Sequence, residues 1–221
     1  MTSEQLAGYI DLTLLKPQAT AKDIEALVRK AQKYSFASVC IPPCHVRKAA
    51  EMLKGSHTKV GTVVGFPLGY QVTSTKLYEA REAVEAGAEE IDMVMNISRF
   101  KSVELSMVQD DISKIVSSLP NIIVKIIIET CYLTDEEKVI ACEMAIKGRA
   151  DFVKTSTGFG SGGATIEDVK LLVKTAKGRI KVKASGGIKT LDETLKMIDT
   201  GADRIGMSAG MEIIEEFLKR L

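Results

Sequence analysis

Three lysines lie within or at the ends of apolar segments, where a charged amine is unfavourable because it loses its contact with water. Lys154 ends the segment 151–154, Lys183 lies near the end of 180–184, and Lys125 interrupts a run of isoleucines and valines. If these segments surround one cavity, the charge of Lys183 lies against that of Lys154. Burial and a neighbouring like charge both lower the pKa of an amine, and the uncharged amine attacks carbonyl carbons. The pattern therefore indicates covalent amine chemistry.

Acidic residues occupy comparable positions. Asp11, Asp92 and Glu129 each lie in or directly after an apolar segment. For any single one of these charges, a structural ion pair explains the position as well as catalysis does, since ion pairs also shift pKa values. Lys154, Lys183 and Asp92 together favour catalysis, because one mechanism uses a nucleophilic amine, a second cation and a carboxylate that transfers protons.

Short apolar segments alternate with amphipathic ones along the chain, and this alternation predicts the elements that position these groups. Helix starts are marked by a threonine and an acidic residue three positions later, as at Thr134 and Glu137. After a short N-terminal helix at 3–7, strands are predicted at 9–15, 37–41, 60–66, 91–94, 122–129, 152–155, 180–184 and 204–207. The helix after the first strand is predicted to start at residue 20. The helices after the other strands are predicted at 45–53, 75–85, 103–117, 134–146, 165–175, 190–198 and 209–218.

Eight strand–helix units predict an α/β fold in which a parallel sheet closes into a (β/α)8 TIM barrel, as a single domain over residues 1–221. An open, doubly wound sheet is the alternative. It is less favoured, because no Gly-x-Gly-x-x-Gly follows the first strand and the chain has no Walker lysine motif. In the barrel, catalytic groups lie where the strands end and their following loops begin, and the lysines and acids described above lie in or just after predicted strands.

Small residues stand where the last three predicted strands pass into their loops, namely Thr-Gly at 157–158, Ser-Gly-Gly at 185–187 and Gly-Met-Ser-Ala-Gly at 206–210. Loops after the seventh and eighth strands of such barrels commonly bind phosphate through backbone amides and a helix N-terminus. Glycine lets the backbone approach the phosphate oxygens closely. A single Gly-Gly pair more often marks only a turn, but two such loops at these places favour a phosphate site.

The overall composition narrows the class of protein. Of the 221 residues, 45% are hydrophobic, and lysine plus arginine (30) almost balance aspartate plus glutamate (29), which leaves a net charge of +1. This balance gives no reason to expect nucleic acid or an anionic membrane as a partner. The N-terminus lacks a basic region followed by an apolar stretch, and the most apolar run is too short to span a membrane. We therefore expect a cytoplasmic protein.

A metal site is the alternative interpretation of the residues around Cys40, Cys44 and His45. Their spacing is not that of a zinc knuckle, and a second pair of ligands does not follow. In a cytoplasmic protein the four cysteines are expected to be reduced thiols. The sequence thus predicts neither a bound metal nor another cofactor.

The two lysine motifs resemble those of the deoxyribose-phosphate aldolase family. They are Lys-Thr-Ser-Thr-Gly-Phe at 154–159 and Lys-Ala-Ser-Gly-Gly-Ile at 183–188. The resemblance extends over essentially the whole chain and includes Asp-Leu-Thr-Leu-Leu at 11–15, Glu-Ile-Asp at 90–92 and Arg-Ile-Gly-Met-Ser at 204–208. It implies a class I aldolase of deoxyribonucleotide catabolism. Such an enzyme cleaves 2-deoxy-D-ribose 5-phosphate reversibly to D-glyceraldehyde 3-phosphate and acetaldehyde without a metal.

The resemblance also implies a role for each matching residue. Lys154 would form the Schiff base, Asp92 would donate and accept protons through a water, and Lys183 would partner Asp92 and lower the pKa of Lys154. Asp11, Thr13 and Lys125 would support these groups. The phosphate end of the substrate would be bound by Thr157, Gly158, Gly186, Gly187 and Ser208. Barrels of this family are often homo-oligomers, so we expect a dimer or a tetramer.

Three positions depart from the family pattern. Phe159 stands where some members have a lysine, and Ala209 stands where many have a second serine. We expect both to weaken the hold on the phosphate and to leave the aldol chemistry intact. The chain ends with Lys-Arg-Leu at 219–221, without the tyrosine-bearing tail of some relatives.

Three other functions remain open from the sequence. A metal-dependent aldolase would need several histidine ligands, and the two present, His45 and His57, are not obviously placed for one site. A transaldolase or a keto-acid aldolase would also form a Schiff base, and substrate assays separate these from the first hypothesis. A barrel that only binds sugar phosphates would not need an amine of lowered pKa.

Overall fold

Eight parallel strands form a closed barrel in the computed structural model, which describes residues 1–220. The strands are β1 (Ile10–Thr13), β2 (Ser38–Ile41), β3 (Lys59–Val64), β4 (Glu90–Val94), β5 (Ile123–Ile127), β6 (Phe152–Lys154), β7 (Lys181–Ser185) and β8 (Arg204–Met207). Each strand pairs with the next along the chain, and β8 closes the barrel on β1. The predicted (β/α)8 barrel is confirmed, and the open sheet is excluded. Leu221, the last residue of the predicted domain and of the C-terminal Lys-Arg-Leu, lies outside the described residues.

Helices cover the outside of the barrel. They are α1 (Ser3–Ala7), α2 (Ala21–Tyr34), α3 (Val46–Met52), α4 (Thr73–Glu85), α5 (Ile97–Lys101), α6 (Leu105–Ser117), α7 (Asp135–Lys147), α8 (Ile166–Ala176), α9 (Leu191–Asp199) and α10 (Gly210–Lys219). The predicted start at Thr134 is confirmed, because its side chain accepts the Glu137 N–H while the Glu137 carboxylate accepts the Thr134 N–H. The same reciprocal cap begins α1, α2 and α9.

One short helix was not predicted, and the predicted helix that follows it begins at Leu105, two residues later than expected. The segment predicted as a single helix from residue 103 is preceded by a separate short helix, α5, which Asn96 caps by accepting the Arg99 N–H. Between α5 and α6, Val103 adopts a φ of +62°, in the left-handed region that a β-branched residue rarely occupies. Its apolar side chain is exposed, so its hydrophobicity did not indicate burial in a helix.

The strands carry two different faces, because successive side chains of a strand point to opposite sides. In β1, Ile10 and Leu12 belong to the apolar core between the sheet and the helices, whereas Asp11 between them is equally buried. Asp11 therefore points into the barrel, as do Asp92 and Lys125, which are paired across β4 and β5. The charged residues thus collect in the barrel interior.

Within residues 1–220, no helix combines the length and the apolar character that a membrane crossing requires.

Candidate active site

The register of neighbouring strands brings the predicted catalytic residues together. Lys154 of β6 lies directly opposite Lys183 of β7, and Asp92 of β4 lies directly opposite Lys125 of β5. Because the side chains at paired positions point to the same face of a sheet, all four enter the barrel interior. The closed barrel then places the two pairs within contact of each other.

Asp92 is the centre of this arrangement. Its Oδ2 atom lies 2.7 Å from the Nζ atom of Lys154 and 2.7 Å from that of Lys183, and both amines donate to it. Its Oδ1 atom accepts a hydrogen bond of 2.9 Å from Lys125. The two lysines that were predicted to lie close together therefore share one carboxylate oxygen, Asp92 Oδ2. Lys154 is 3% exposed and the other three side chains are at most 1% exposed.

A second group of charges lies beneath Asp92. Asp11 Oδ2 is 2.5 Å from Lys183 Nζ, an ion pair without hydrogen-bond alignment, and Glu90 Oε2 accepts a 2.5 Å hydrogen bond from Lys125. Arg204 pairs with both Asp11 and Glu90. Glu90 and Arg204 were not among the residues predicted to act in the site. Glu90 precedes Asp92 by two residues in one strand, so the two side chains share a face, and this spacing was the available signal.

The predicted supporting residues differ in their contacts. Lys125 and Asp11 belong to the ion-pair network, and their Nζ and Oδ2 atoms are 3.5 Å apart. Ser38 Oγ donates to Asp11 Oδ1 at 2.7 Å. Thr13 lies at the end of β1, and its hydroxyl donates to the Asp11 carbonyl oxygen at 3.0 Å. Its contact is therefore with the backbone of β1 rather than with the charged groups.

Lys154 is the one lysine of the network whose pKa is lowered. Burial is the largest cause, the Asp92 carboxylate opposes it, and the charge of Lys183 lowers the pKa further. The expectation that Lys183 depresses the pKa of Lys154 is correct in direction, but burial contributes more than the repulsion between the two amines. The amine of Lys154 is therefore available as a nucleophile at a lower pH than that of an ordinary lysine.

The other ionised groups of the network are held in their charged forms. Burial alone would lower the pKa values of Lys125 and Lys183, but the nearby carboxylates outweigh it and raise both. Burial alone would raise the pKa values of Asp11 and Asp92, but the surrounding cations hold both well below their ordinary range. Before substrate binds, the network therefore combines one amine that loses its proton easily with partners that are charged.

A cavity of about 370 Å³ opens above Lys154 at the C-terminal ends of the strands. It is lined by the predicted phosphate loops as well as by the predicted nucleophile; the lining includes Thr13, Lys154, Thr157, Gly158, Ser185, Gly186, Gly187, Gly206 and Ser208. Glycines 158, 186 and 187 have φ between +81° and +85°, a conformation that other residues rarely adopt. The five residues predicted to bind phosphate thus border the same space as Lys154.

Thr157 differs from the other four in its hydrogen bonds. Its backbone N–H and its hydroxyl both donate to the carboxylate of Glu129, which is 2% exposed. These donors are occupied by protein and do not face an incoming anion. Glu129 lies just after β5 and adopts a φ of +51°. Its place at the end of an apolar segment is visible in the sequence, but its hydrogen bonds to Thr157 are not.

Of the three departures from the family pattern, Phe159 lines the cavity and Ala209 directly follows Ser208, which also lines it. The ring of Phe159 is half exposed at its mouth and meets Phe66 edge to face, with ring centroids 5.3 Å apart. Ala209 is the N-cap residue of α10 and has no side-chain oxygen to cap that helix. An aromatic ring therefore occupies the rim of the cavity at residue 159.

The two cysteines considered for a metal site differ in their exposure to solvent. Cys40 is buried in β2 and Cys44 is exposed, and burial together with the Asp92 carboxylate raises the pKa of the Cys40 thiol to about 11. Within residues 1–220, no group of three or more histidine, cysteine, aspartate or glutamate side chains is arranged to hold a metal ion. Carboxylates of the barrel interior are instead matched by lysine and arginine.

Comparison with known proteins gives concordant matches over nearly the whole chain. The model described as DeoC/LacD family aldolase matches residues 6–216. The deoxyribose-phosphate aldolase of Caldanaerobacter subterraneus subsp. tengcongensis is 54% identical over 218 residues, which cover 97% of this chain and 94% of the relative. A solved structure named QR15, an aldolase, is 47% identical with a TM-score of 0.94 and covers 97% of this chain and 96% of its own. The solved structure of the deoxyribose phosphate aldolase of Aeropyrum pernix is described as a unique tetrameric structure. It is 34% identical with a TM-score of 0.92, and the match covers 100% of this chain and 94% of the relative.

Proposed function

This chain belongs to the DeoC/LacD family of aldolases, and we propose that it cleaves 2-deoxy-D-ribose 5-phosphate reversibly to D-glyceraldehyde 3-phosphate and acetaldehyde. The chemistry proceeds through a Schiff base on Lys154. The observation that carries this proposal is the position of the Lys154 amine. It is buried at the floor of the cavity, has a lowered pKa, and shares one oxygen of Asp92 with Lys183.

The first step is the attack of the uncharged Lys154 amine on C1 of the open-chain substrate. A carbon–nitrogen bond forms, the C1 oxygen leaves as water, and a positively charged iminium results. Asp92 Oδ2 lies 2.7 Å from the attacking nitrogen and stays ionised, so it stabilises the new positive charge. Lys183 contacts the same oxygen and is placed to deliver the proton that the departing water needs.

The second step breaks the bond between C2 and C3. The proton of the 3-hydroxyl passes to Asp92 through a water, and the electron pair of the C2–C3 bond moves into the iminium to give an enamine. D-Glyceraldehyde 3-phosphate leaves with C3 as its aldehyde carbon. The enamine then takes a proton at C2, and hydrolysis of the resulting iminium releases acetaldehyde and restores the Lys154 amine.

The phosphate end of the substrate is assigned to the loops that share the cavity with Lys154. Gly158, Gly186, Gly187 and Ser208 line this space, and the glycines leave room for oxygens to reach the backbone. Thr157 supports the loop after β6 through its two hydrogen bonds to Glu129, rather than binding phosphate with those donors. The site therefore relies mainly on backbone groups for the anion.

We expect Gly163→Ala to weaken the binding of the phosphorylated substrate. A Cβ atom at residue 163 would lie 2.2 Å from the carbonyl oxygen of Gly186 and 2.5 Å from its carbonyl carbon, so the backbone of the 186–187 loop must move. A loss of about 1.4 kcal/mol in phosphate contacts corresponds to a tenfold rise in KM. Steady-state kinetics with 2-deoxyribose 5-phosphate and with unphosphorylated 2-deoxyribose measure this effect, which should be confined to the phosphorylated substrate.

Gly8→Ala is the matched control for this prediction. Gly8 has a φ of −62°, and a Cβ there would meet its nearest atoms at 3.4 Å, an ordinary contact. This variant should keep the KM of the unmodified protein. An equal loss of activity on both substrates in Gly163→Ala would show that the loop does not hold the phosphate.

Borohydride reduction in the presence of acetaldehyde tests the proposed function directly. Reduction of the iminium leaves a stable ethylamine on one lysine, and peptide mass spectrometry should find it on the Lys154 peptide. In parallel, cleavage of 2-deoxyribose 5-phosphate should exceed that of transaldolase and keto-acid aldolase substrates and should persist in a chelator. An unmodified protein would support a barrel that only binds sugar phosphates, and loss of activity in the chelator would support a metal-dependent aldolase.

A homo-oligomer is also part of the proposal. The Aeropyrum pernix relative is described as tetrameric, and several large apolar side chains of this chain are exposed around the start of α4, namely Leu68, Tyr70, Val72 and Tyr78. Burial of these side chains in a dimer or a tetramer would remove apolar surface from water. Light scattering on the purified protein measures its mass. A cytoplasmic location stays a prediction from the sequence.

A further inference from the structure

The ion pairs in the barrel interior connect the two ends of the barrel. We use the term charge chain for seven side chains that contact one another, which are Arg204, Asp11, Glu90, Lys125, Lys183, Asp92 and Lys154. Lys154 stands at one end, at the floor of the substrate cavity. Arg204 stands at the other end, as the first residue of β8.

Arg204 is the only member of the charge chain that reaches the opposite mouth of the barrel, as far as residues 1–220 show. Its side chain is 12% exposed and borders a second cavity of about 620 Å³. Its guanidinium carbon lies 5.5 Å from the ring centroid of Phe152, a cation–π contact that helps to fix it. Burial would lower the pKa of Arg204, but Asp11 and Glu90 raise it, so the guanidinium stays charged.

The charge chain contains four basic and three acidic side chains. If every group were ionised, the buried network would carry an uncompensated positive charge, which is unfavourable in a medium of low dielectric constant. The network becomes neutral when one base gives up its proton. Arg204 does not deprotonate in proteins, and Lys125 and Lys183 are each paired with two or more carboxylates. Within residues 1–220, Lys154 has a single carboxylate partner, which it shares with Lys183.

We propose that Arg204 is a positioning residue for the aldolase reaction, because its charge at the far end of the barrel completes the set of cations that keeps the Lys154 amine unprotonated. This inference rests on the proposed function, in which the free amine of Lys154 is the nucleophile. Arg204 acts through Asp11 and Glu90, and it touches neither Lys154 nor the substrate cavity.

The expected direction follows from the balance of charges. Without the Arg204 charge, three carboxylates face three lysines, and the network is neutral only when Lys154 is protonated. The proton is then held more tightly, so a higher pH is needed to release the nucleophile. Removal of a carboxylate has the opposite effect, because it leaves a surplus of positive charge that favours loss of the proton.

Other charged and titratable groups face Lys154 and set the remainder of its behaviour. Asp92 of β4 favours the protonated amine, and Lys183 of β7 opposes it. Cys40 of β2 is near enough to act on Lys154, but its thiol has a pKa of about 11 and stays neutral at physiological pH. These groups are unchanged in the variants of Arg204, Lys181 and Glu90, so the shift caused by Arg204 is measured against a constant background.

The surroundings of Arg204 supply a matched control. Lys181 and Asp203 border the same cavity, and both side chains are exposed to solvent. Lys181 Nζ lies 5.5 Å from the ring centroid of Phe152, the same distance as the guanidinium carbon of Arg204. Unlike Arg204, Lys181 forms no ion pair within the described residues. Lys181→Met therefore removes one positive charge from the same cavity without breaking the charge chain.

The experiment measures two quantities against pH, the rate of borohydride trapping by acetaldehyde and kcat/KM for cleavage. In Arg204→Met, we expect the midpoint of the rising limb to move to higher pH by about one unit, the order of effect of one charge in a partly dry interior. Below both midpoints, such a shift lowers the fraction of free amine about tenfold. Arg204→Lys and Lys181→Met should keep the midpoint of the unmodified protein.

Glu90→Gln keeps the inference testable even if Arg204→Met fails to fold. Alone, it should move the midpoint to lower pH, and combined with Arg204→Met it should return the midpoint towards that of the unmodified protein. A folded Arg204→Met variant with an unmoved midpoint would overturn the inference, as would an equal shift in Lys181→Met. If the unmodified protein itself were not trapped at any pH, the proposed function would fail, and this outcome is distinct from the failure of the Arg204 inference alone.

Discussion

Lys154→Ala will abolish both borohydride trapping and cleavage of 2-deoxyribose 5-phosphate. In the proposed mechanism the iminium is the electron sink for breaking the carbon–carbon bond, and Lys154 is the amine that lines the cavity and has a lowered pKa. Removal of a covalent nucleophile leaves only binding and orientation, so we expect a fall of at least about 10⁴-fold in kcat. The fold should survive, because the change removes one base from a network that has four bases and three acids.

Trapping followed by peptide mass spectrometry, together with the cleavage assay, checks this prediction. Lys170→Ala, which changes an exposed lysine on α8, is the control and should behave as the unmodified protein does. Circular dichroism and thermal unfolding establish that both variants are folded. An ethylated lysine elsewhere in the Lys154→Ala variant, with cleavage retained, would assign the nucleophile to another residue.

Lys183→Leu will leave a folded protein that reacts far more slowly. Lys183 bridges Asp11 and Asp92 at 2.5 Å and 2.7 Å, so its loss removes a cation from both carboxylates. Lys154 then takes up the missing charge by keeping its proton, which preserves the ion pairs but removes the nucleophile at neutral pH. Loss of the proton delivery assigned to Lys183 adds to this effect. We expect a fall of about 10²- to 10⁴-fold in kcat/KM, the range typical of acid–base groups, and a rising limb displaced to higher pH.

Lys76 is a buried lysine outside the active site and serves as the control for Lys183. Lys76 of α4 is 0% exposed, and its amine donates to Asp111 Oδ2 at 2.7 Å and to the Val94 carbonyl oxygen at 2.9 Å. No second amine is paired with Asp111 in the described residues, so Lys76→Met should lower the free energy of unfolding by about 3–5 kcal/mol. The pH midpoint of trapping should not move in this variant. Full activity in Lys183→Leu would refute the proposed coupling between the two active-site lysines.

Much of the barrel was predictable because local signals agree with the final fold. The Thr134 cap fixes the start of α7, and strand periodicity places Asp11 on the face opposite to Ile10 and Leu12. Lys154 and Lys183 lie in consecutive strands and are paired in their register, so the parallel sheet brings them side by side. These predictions needed only spacing and the rules of parallel pairing.

Other features depend on contacts between residues far apart in the chain. Arg204 meets Asp11 and Glu90 only because β8 closes on β1, and closure places no mark on the local sequence around Arg204. Val103 shows the same limit at short range. It adopts a left-handed conformation that its residue type disfavours, so the sequence did not show that residue 103 lies between two helices rather than at the start of one.

The direct pairing of Lys154 with Lys183 makes enzymatic activity a test of how the barrel has closed. A slip of β6 by a single residue would turn Lys154 away from Asp92 and towards the covering helices, since neighbouring side chains alternate between the two faces. A chain misaligned in this way would retain most of its helical circular dichroism but would not form the Schiff base. Recovery of borohydride trapping after refolding from denaturant therefore reports the fraction of molecules with native strand alignment, which spectroscopic measures of helix content do not resolve.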